Sequence, residues 1–162
     1  MTGGGTPALA ARIISEATRR GITVATAESL TAGWISAALA DVPGASAVLR
    51  GGVVSYHNQV KQEVLGVDAS LLESRGSVDA EVARRMAVGA RRICTSDVAV
   101  ASTGVAGPDA HDGKEVGTVF IGHAGPHGSG AVEFRFTGGR QAIRAQACER
   151  ALERLLELIE AE

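Results

Sequence analysis

A three-layer α/β/α domain is predicted, with a mostly parallel, mixed sheet and an antiparallel hairpin at one edge. Three observations point to it. Short apolar runs alternate with helix-periodic segments over the first two thirds of the chain, two strand-like runs then adjoin across a Gly/Pro turn, and a long amphipathic segment closes the sequence.

Taken in order, residues 1–6 read as a flexible Gly/Thr leader, and residues 7–162 as one domain. Leu9, Ile13, Ile14 and Ala17 recur at helical spacing, and Gly21 closes the helix. "ITVATAE" is a buried strand, and "SLTAGWISAALADV" a helix capped by its own hydroxyl residues. After "PGAS", the run "AVLRGGVVSYHN" is extended, with a bulge or bend expected at Gly51 and Gly52. Short helical pieces fill residues 58–75, placing Lys61 on a first turn, where the helix dipole disfavours a cation. Ser77 or Asp79 caps a helix that buries Val82, Met86, Ala90 and Ile93. "DVAVASTG" is a second buried strand. The loop "VAGPDAHDGKE" separates it from "VGTVFIGHA" and "GAVEFRFTG", which pair across "GPHGSG". A helix from about residue 139 carries the seam Ile143, Ala147, Ala151, Leu155 and Ile159.

The chain of 162 residues is long enough for one substantial core, and its 45% hydrophobic and 21% charged residues are ordinary for a globular protein. A net charge of -2 and a pI near 6.1 argue against a nucleic-acid partner. The N-terminus lacks a signal-peptide pattern, and no apolar run approaches the roughly 20 residues that span a bilayer, so no membrane association and a cytoplasmic location are expected. Cys94 and Cys148 read as free core thiols in a reducing compartment.

Ligands of open α/β sheets bind beyond the carboxyl ends of the strands. Three polar turns leave such ends: "TAESLTAG", "SYHNQVK" and "STGVAGPD", the first and third bearing glycine. The first offers Glu28, Ser29 and Thr31 at a helix start, where an anion site and a plain N-cap are both open readings. Gly104 and Gly107 let backbone approach a ligand, although their spacing matches neither the P-loop nor the dinucleotide fingerprint.

Together, "TAESLTAGWISAALADVPGASAVLRGGVVSYHNQVKQEVLGV", "STGVAGPDA…KEVGTVFIG" and "FTGGRQAIRAQA" resemble the CinA C-terminal domain family from about residue 8 to 160. The resemblance implies hydrolysis of the amide of nicotinamide mononucleotide by a lysine-activated serine, with no metal and no cofactor. The matching positions are Ser46 in "PGASAV" and Lys61, with Ser29 as rival nucleophile or proton relay. A neutral lysine amine removes the serine proton, and its ammonium then protonates departing ammonia. With an ordinary pKa near 10.4, only about one lysine in a few thousand is neutral at pH 7. Lys61 is therefore expected to be buried, to point at Ser46, and to have its pKa lowered by burial or a nearby arginine.

The same resemblance assigns substrate-binding roles to Thr31, Tyr56, Thr103 and Gly104, and makes Arg140 a phosphate clamp. The oxyanion hole is expected from backbone N–H groups near Ser46. Leu30, Ala32 and "AHDGKE" depart from the family pattern, which leaves a non-catalytic nucleotide- or partner-binding module, or action on another amide, as alternatives. His111 and Asp112 fall short of a metal site. His57 is a rival base, and His123 and His127 are expected to face solvent. The partners expected are a small nucleotide and further copies of the chain in a homo-oligomer; the last helix reads as core packing plus a charged outer surface, with an oligomer interface as the alternative reading.

Overall fold

Strand β1 (Val24–Glu28) lies between β2 (Leu49–Val54) and β3 (Val98–Gly104), parallel to both. Strands β4 (Thr118–Gly125) and β5 (Gly128–Arg135) extend the sheet antiparallel in the order β2-β1-β3-β4-β5. This arrangement, a computed structural model, describes residues 5–162. Of the expected leader, residues 1–4 lie outside the described residues, and Gly5 and Thr6 already belong to α1 (Gly5–Arg20).

The two sheet faces differ in side-chain size, and that difference positions the helices. Val24, Val98, Val100, Val119 and Ile121 meet α1, α2 (Trp34–Ala40) and α6 (Arg140–Glu160) in one core. Ala25, Ala27, Ala99 and Ala101 face α5 (Ala80–Cys94) in the other, together with Leu72 of α4 (Ala69–Arg75). Small side chains let α5 lie close to the sheet: a Cβ at Gly122 would stand 2.0 Å from the Ala83 carbonyl oxygen, so β4 passes under α5 only without one. The seam of α6 is as expected, with Ile143, Ala147, Ala151, Leu155 and Ile159 all fully buried. Each large aliphatic among them contributes about 1.5–3 kcal/mol by leaving water.

Four expectations change in detail. The β1–β2 register slips between the Val24–Leu49 and Ala25–Gly51 pairs, so the bulge falls on Arg50 rather than on the glycines. The helix expected from Ser29 starts only at Trp34, because Ala32 and Gly33 take left-handed backbone angles (φ 46° and 98°) that interrupt it. Its cap is no hydroxyl; the buried Glu28 carboxylate accepts from the Ile35 and Ser36 amides at 2.8 and 3.0 Å. On α5, Asp79 caps the Glu81 and Val82 amides as expected, but Ile93 is exposed.

Candidate functional site

The carboxyl ends of β1, β2 and β3 lie side by side, since Glu28 is in register with Val54 and with Ser102. Ser29 therefore follows β1 directly beside Ser55, which follows β2 and donates its amide to the Glu28 carbonyl at 2.8 Å. The next element, α3 (Asn58–Glu63), is capped by His57, whose Nδ1 accepts from the Gln59 amide at 3.1 Å. That bond commits the ring nitrogen that a base would use.

Lys61 stands on the second half of α3, not on its first turn, and its side chain folds back under the strand ends. It is only 1% exposed. Its Nζ donates to the Ser55 carbonyl at 2.7 Å, to Ser29 Oγ at 3.2 Å and to the Tyr56 carbonyl at 3.4 Å. Burial penalises the ammonium and pulls its pKa from the ordinary 10.5 down to about 8, against a smaller opposing pull from the Asp112 carboxylate. No arginine is needed for the shift.

Ser46 is elsewhere. It is exposed on a 3-10 turn (Ala45–Ala47) that precedes β2, whereas Lys61 follows it. A six-residue strand rises roughly 20 Å, so the two side chains sit at opposite ends of β2. The expectation that Lys61 points at Ser46 is thus corrected, and with it the oxyanion hole expected beside Ser46. The hydroxyl within reach of Lys61 is that of Ser29.

Ser29 opens into a pocket of about 380 Å³, also lined by Tyr56, Ser77, Thr103, Gly104 and Arg140. Arg140, the first residue of α6, spans the mouth: it donates to the Gly107 carbonyl at 2.6 Å and to the Tyr56 hydroxyl at 2.8 Å. Tyr56 is exposed on the wall. Thr103 lines the pocket, but its hydroxyl donates to the Ser77 carbonyl at 2.6 Å. Thr31 is not on the lining. It is fully buried and shares a 2.7 Å hydrogen bond with Ser102 Oγ, so it braces the β1–α2 turn against β3 instead of facing a ligand.

Sequence reasoning missed two of the residues that shape this site. Arg144 Nε donates to the Leu30 carbonyl at 2.7 Å while its guanidinium lies 3.8 Å over the Trp34 ring, pinning the turn that presents Ser29. The available signal was its spacing, one turn beyond Arg140 on the same helix. Ser77, read as a cap, lines the pocket. His123 is half-buried against Arg154 Nη2 at 3.1 Å rather than solvent-facing, and burial lowers its pKa. His127 is exposed as expected. Burial, with Glu28 and Glu149 nearby, pushes the Cys148 thiol up to about 12, and burial also raises Cys94. Among the described residues no three potential metal ligands cluster, and no helix is long and apolar enough to cross a membrane.

The family model of the CinA C-terminal domain matches residues 6–159. A CinA-like protein of Frankia casuarinae is 43% identical over 151 residues, covering 93% of this chain and 35% of the relative. A CinA-like protein of Geobacter sulfurreducens is 46% identical over 135 residues, covering 83% of this chain and 33% of the relative. The chain thus spans about a third of the length of the curated relatives it matches. Solved structures match it end to end: a CinA superfamily protein of Klebsiella pneumoniae with TM-score 0.93 and 31% identity, covering 98% of this chain and 99% of that one, and the competence/damage inducible protein CihA of Agrobacterium tumefaciens with TM-score 0.92 and 38% identity, covering 98% of each.

Proposed function

This chain belongs to the CinA C-terminal domain family, and we propose that it is an amidohydrolase that converts nicotinamide mononucleotide to nicotinic acid mononucleotide and ammonia, with Ser29 as nucleophile and Lys61 as base. One observation carries the reading: a buried lysine with its pKa near 8 donates to a serine hydroxyl that opens into a small-molecule-sized pocket.

At pH 7 about one Lys61 in ten is neutral, against about one in three thousand at the ordinary value. The neutral amine takes the Ser29 proton as Oγ attacks the carboxamide carbon. The Leu30 amide, next in the chain and on the pocket lining, donates to the oxyanion. The C–N bond then breaks as the Lys61 ammonium returns its proton to the leaving nitrogen, so that ammonia departs and an ester is left on Ser29. Water, deprotonated by the same amine, cleaves that ester to the acid and regenerates the serine. Arg140, oriented by Gly107 and Tyr56, clamps the substrate phosphate. Thr103 and Gly104, on the lining, flank the substrate.

Ammonia release from nicotinamide mononucleotide tests this. The wild type should turn over, and Lys61→Ala and Ser29→Ala should each lose at least about a thousandfold in kcat, as expected when a nucleophile or its base is removed. Binding of the mononucleotide without ammonia release from the wild type would favour a nucleotide-binding module.

A further inference from the structure

We propose that Asp112 is a positioning residue for this site: it latches the loop of residues 105–117 onto Ser77, fixing the pocket wall around the reacting pair. The role rests on the reading that Ser29 and Lys61 react.

The carboxylate is built in rather than merely nearby. Asp112 Oδ2 accepts from the Ser77 amide at 2.9 Å and from the Ser77 hydroxyl at 3.1 Å. Gly76 (φ 75°) makes the room, since a Cβ there would stand 2.7 Å from Asp112 Cγ. On its other side the Ser77 carbonyl accepts from the buried Thr103 hydroxyl, so Asp112, Ser77 and Thr103 form a continuous chain from the loop to the end of β3. Within the loop, His111 and Lys114 exchange backbone hydrogen bonds at 3.1 and 2.9 Å, which closes the turn that presents Asp112. The pocket wall consists of residues on both sides of this latch: Ser77 and Thr103 below, and Pro108 to His111 above. Besides the latch, that local turn and the Arg140 contact to Gly107 tie the upper wall down.

Asp112 is also the charge that acts on Lys61, holding its ammonium somewhat more firmly than burial alone would. The other charged or titratable groups around the latch are His111, whose Nε2 lies 3.3 Å from Asp112 Oδ2, Asp109 and Arg140 on the wall, Lys114 on the loop, and Arg75, which reaches toward Asp79 at 3.8 Å. His57 caps the helix that carries Lys61 and is exposed.

Asp112→Ala removes both the latch and the charge, whereas Asp112→Asn keeps an oxygen acceptor for Ser77 and removes only the charge. Amide hydrogen exchange at Ser77 reads the latch, and the 13Cε titration of Lys61, assigned with Lys61→Arg, reads the charge. In Asp112→Ala, Ser77 exchange should accelerate at least about tenfold, the extent expected for loss of a charge-assisted hydrogen bond. The Lys61 midpoint should fall by roughly half a pH unit, the scale of one partly solvated charge. KM for nicotinamide mononucleotide should rise about tenfold with kcat within about threefold, as for a lost ground-state contact. Asp112→Asn should lower the Lys61 midpoint equally while leaving Ser77 exchange within about threefold of wild type. Ser77 exchange unchanged in Asp112→Ala, or a Lys61 midpoint unmoved in both variants, overturns the proposal. If the wild type releases no ammonia the amidase reading falls, yet exchange and titration still decide whether Asp112 latches the loop and acts on Lys61.

Discussion

Replacing Lys61 by methionine removes one charge from the core and leaves a side chain of similar length, and the consequence for stability depends on pH in a calculable way. Lys61 holds its proton with a pKa of about 8 in the fold against the ordinary 10.5 of the unfolded chain. Below pH 8 both states are protonated, and the fold carries the full penalty of a buried ammonium, roughly 3 kcal/mol. Between pH 8 and 10.5 the folded state has released the proton and the unfolded state has not. The unfolded chain then binds more protons, so stability rises with pH and the penalty disappears. The two binding curves give about 2.5 kcal/mol of relative gain for the wild type between pH 7 and pH 10. Groups that titrate equally in both proteins cancel in the difference. Urea unfolding of wild type and Lys61→Met at pH 7, 8, 9 and 10 measures it. With a slope near 2 kcal/mol/M, the midpoint of the wild type should move upward relative to the variant by about 1.2 M across that range. A difference that stays flat within about 0.5 kcal/mol would mean that Lys61 keeps an ordinary pKa, and the argument from burial to base would fail.

Because only neutral Lys61 accepts a proton from Ser29, kcat/KM for ammonia release should rise with pH through about 8; a rate that does not rise through that range would remove Lys61 as the base. Arg140→Ala should lower kcat/KM for nicotinamide mononucleotide by roughly 30- to 100-fold, the worth of a charge-assisted phosphate contact. It should leave the dephosphorylated nucleoside almost unaffected, and an unchanged preference removes the clamp. Ala32→Gly relieves a left-handed alanine (φ 46°). Strain of roughly 1–2 kcal/mol less the entropy glycine adds to the unfolded chain leaves about 0.5–1 kcal/mol of stabilisation, or a rise of about 1–4 °C in Tm. A fall in Tm would show that the turn requires the methyl group.

Periodicity carried most of the fold because it reports burial, and burial is what orders the layers. The α6 seam from Ile143 to Ile159 and β3, buried from Val98 to Thr103, were readable for that reason. The start of α2 was not, since the left-handed turn at Ala32 and Gly33 and the cap supplied by Glu28 are tertiary facts that a hydroxyl-rich segment imitates. The site divides in the same way. Burial of Lys61 followed from asking why a lysine sits at a strand end, but its partner did not follow from distance along the chain. Ser46 is nearer in sequence, yet β2 separates it from the lysine. Ser29 is far in sequence, yet the parallel register that puts Glu28 beside Val54 sets Ser29 next to Ser55 and Lys61. Pairing between strands decides such neighbours, and a single sequence does not print it. Thr31 failed as a binding residue for a related reason: on a turn, one residue's rotation selects the pocket or the sheet, and here it meets Ser102.

The most direct test of the Ser29–Lys61 account is to quench the reaction with nicotinamide mononucleotide in acid, digest the protein and locate the acyl group by mass spectrometry. The account predicts a nicotinoyl-nucleotide ester on the peptide carrying Ser29, absent from Ser29→Ala, while Ser46→Ala forms it and turns over as the wild type does. An ester on the peptide carrying Ser46, or ammonia released at the wild-type rate by Ser29→Ala, would contradict it.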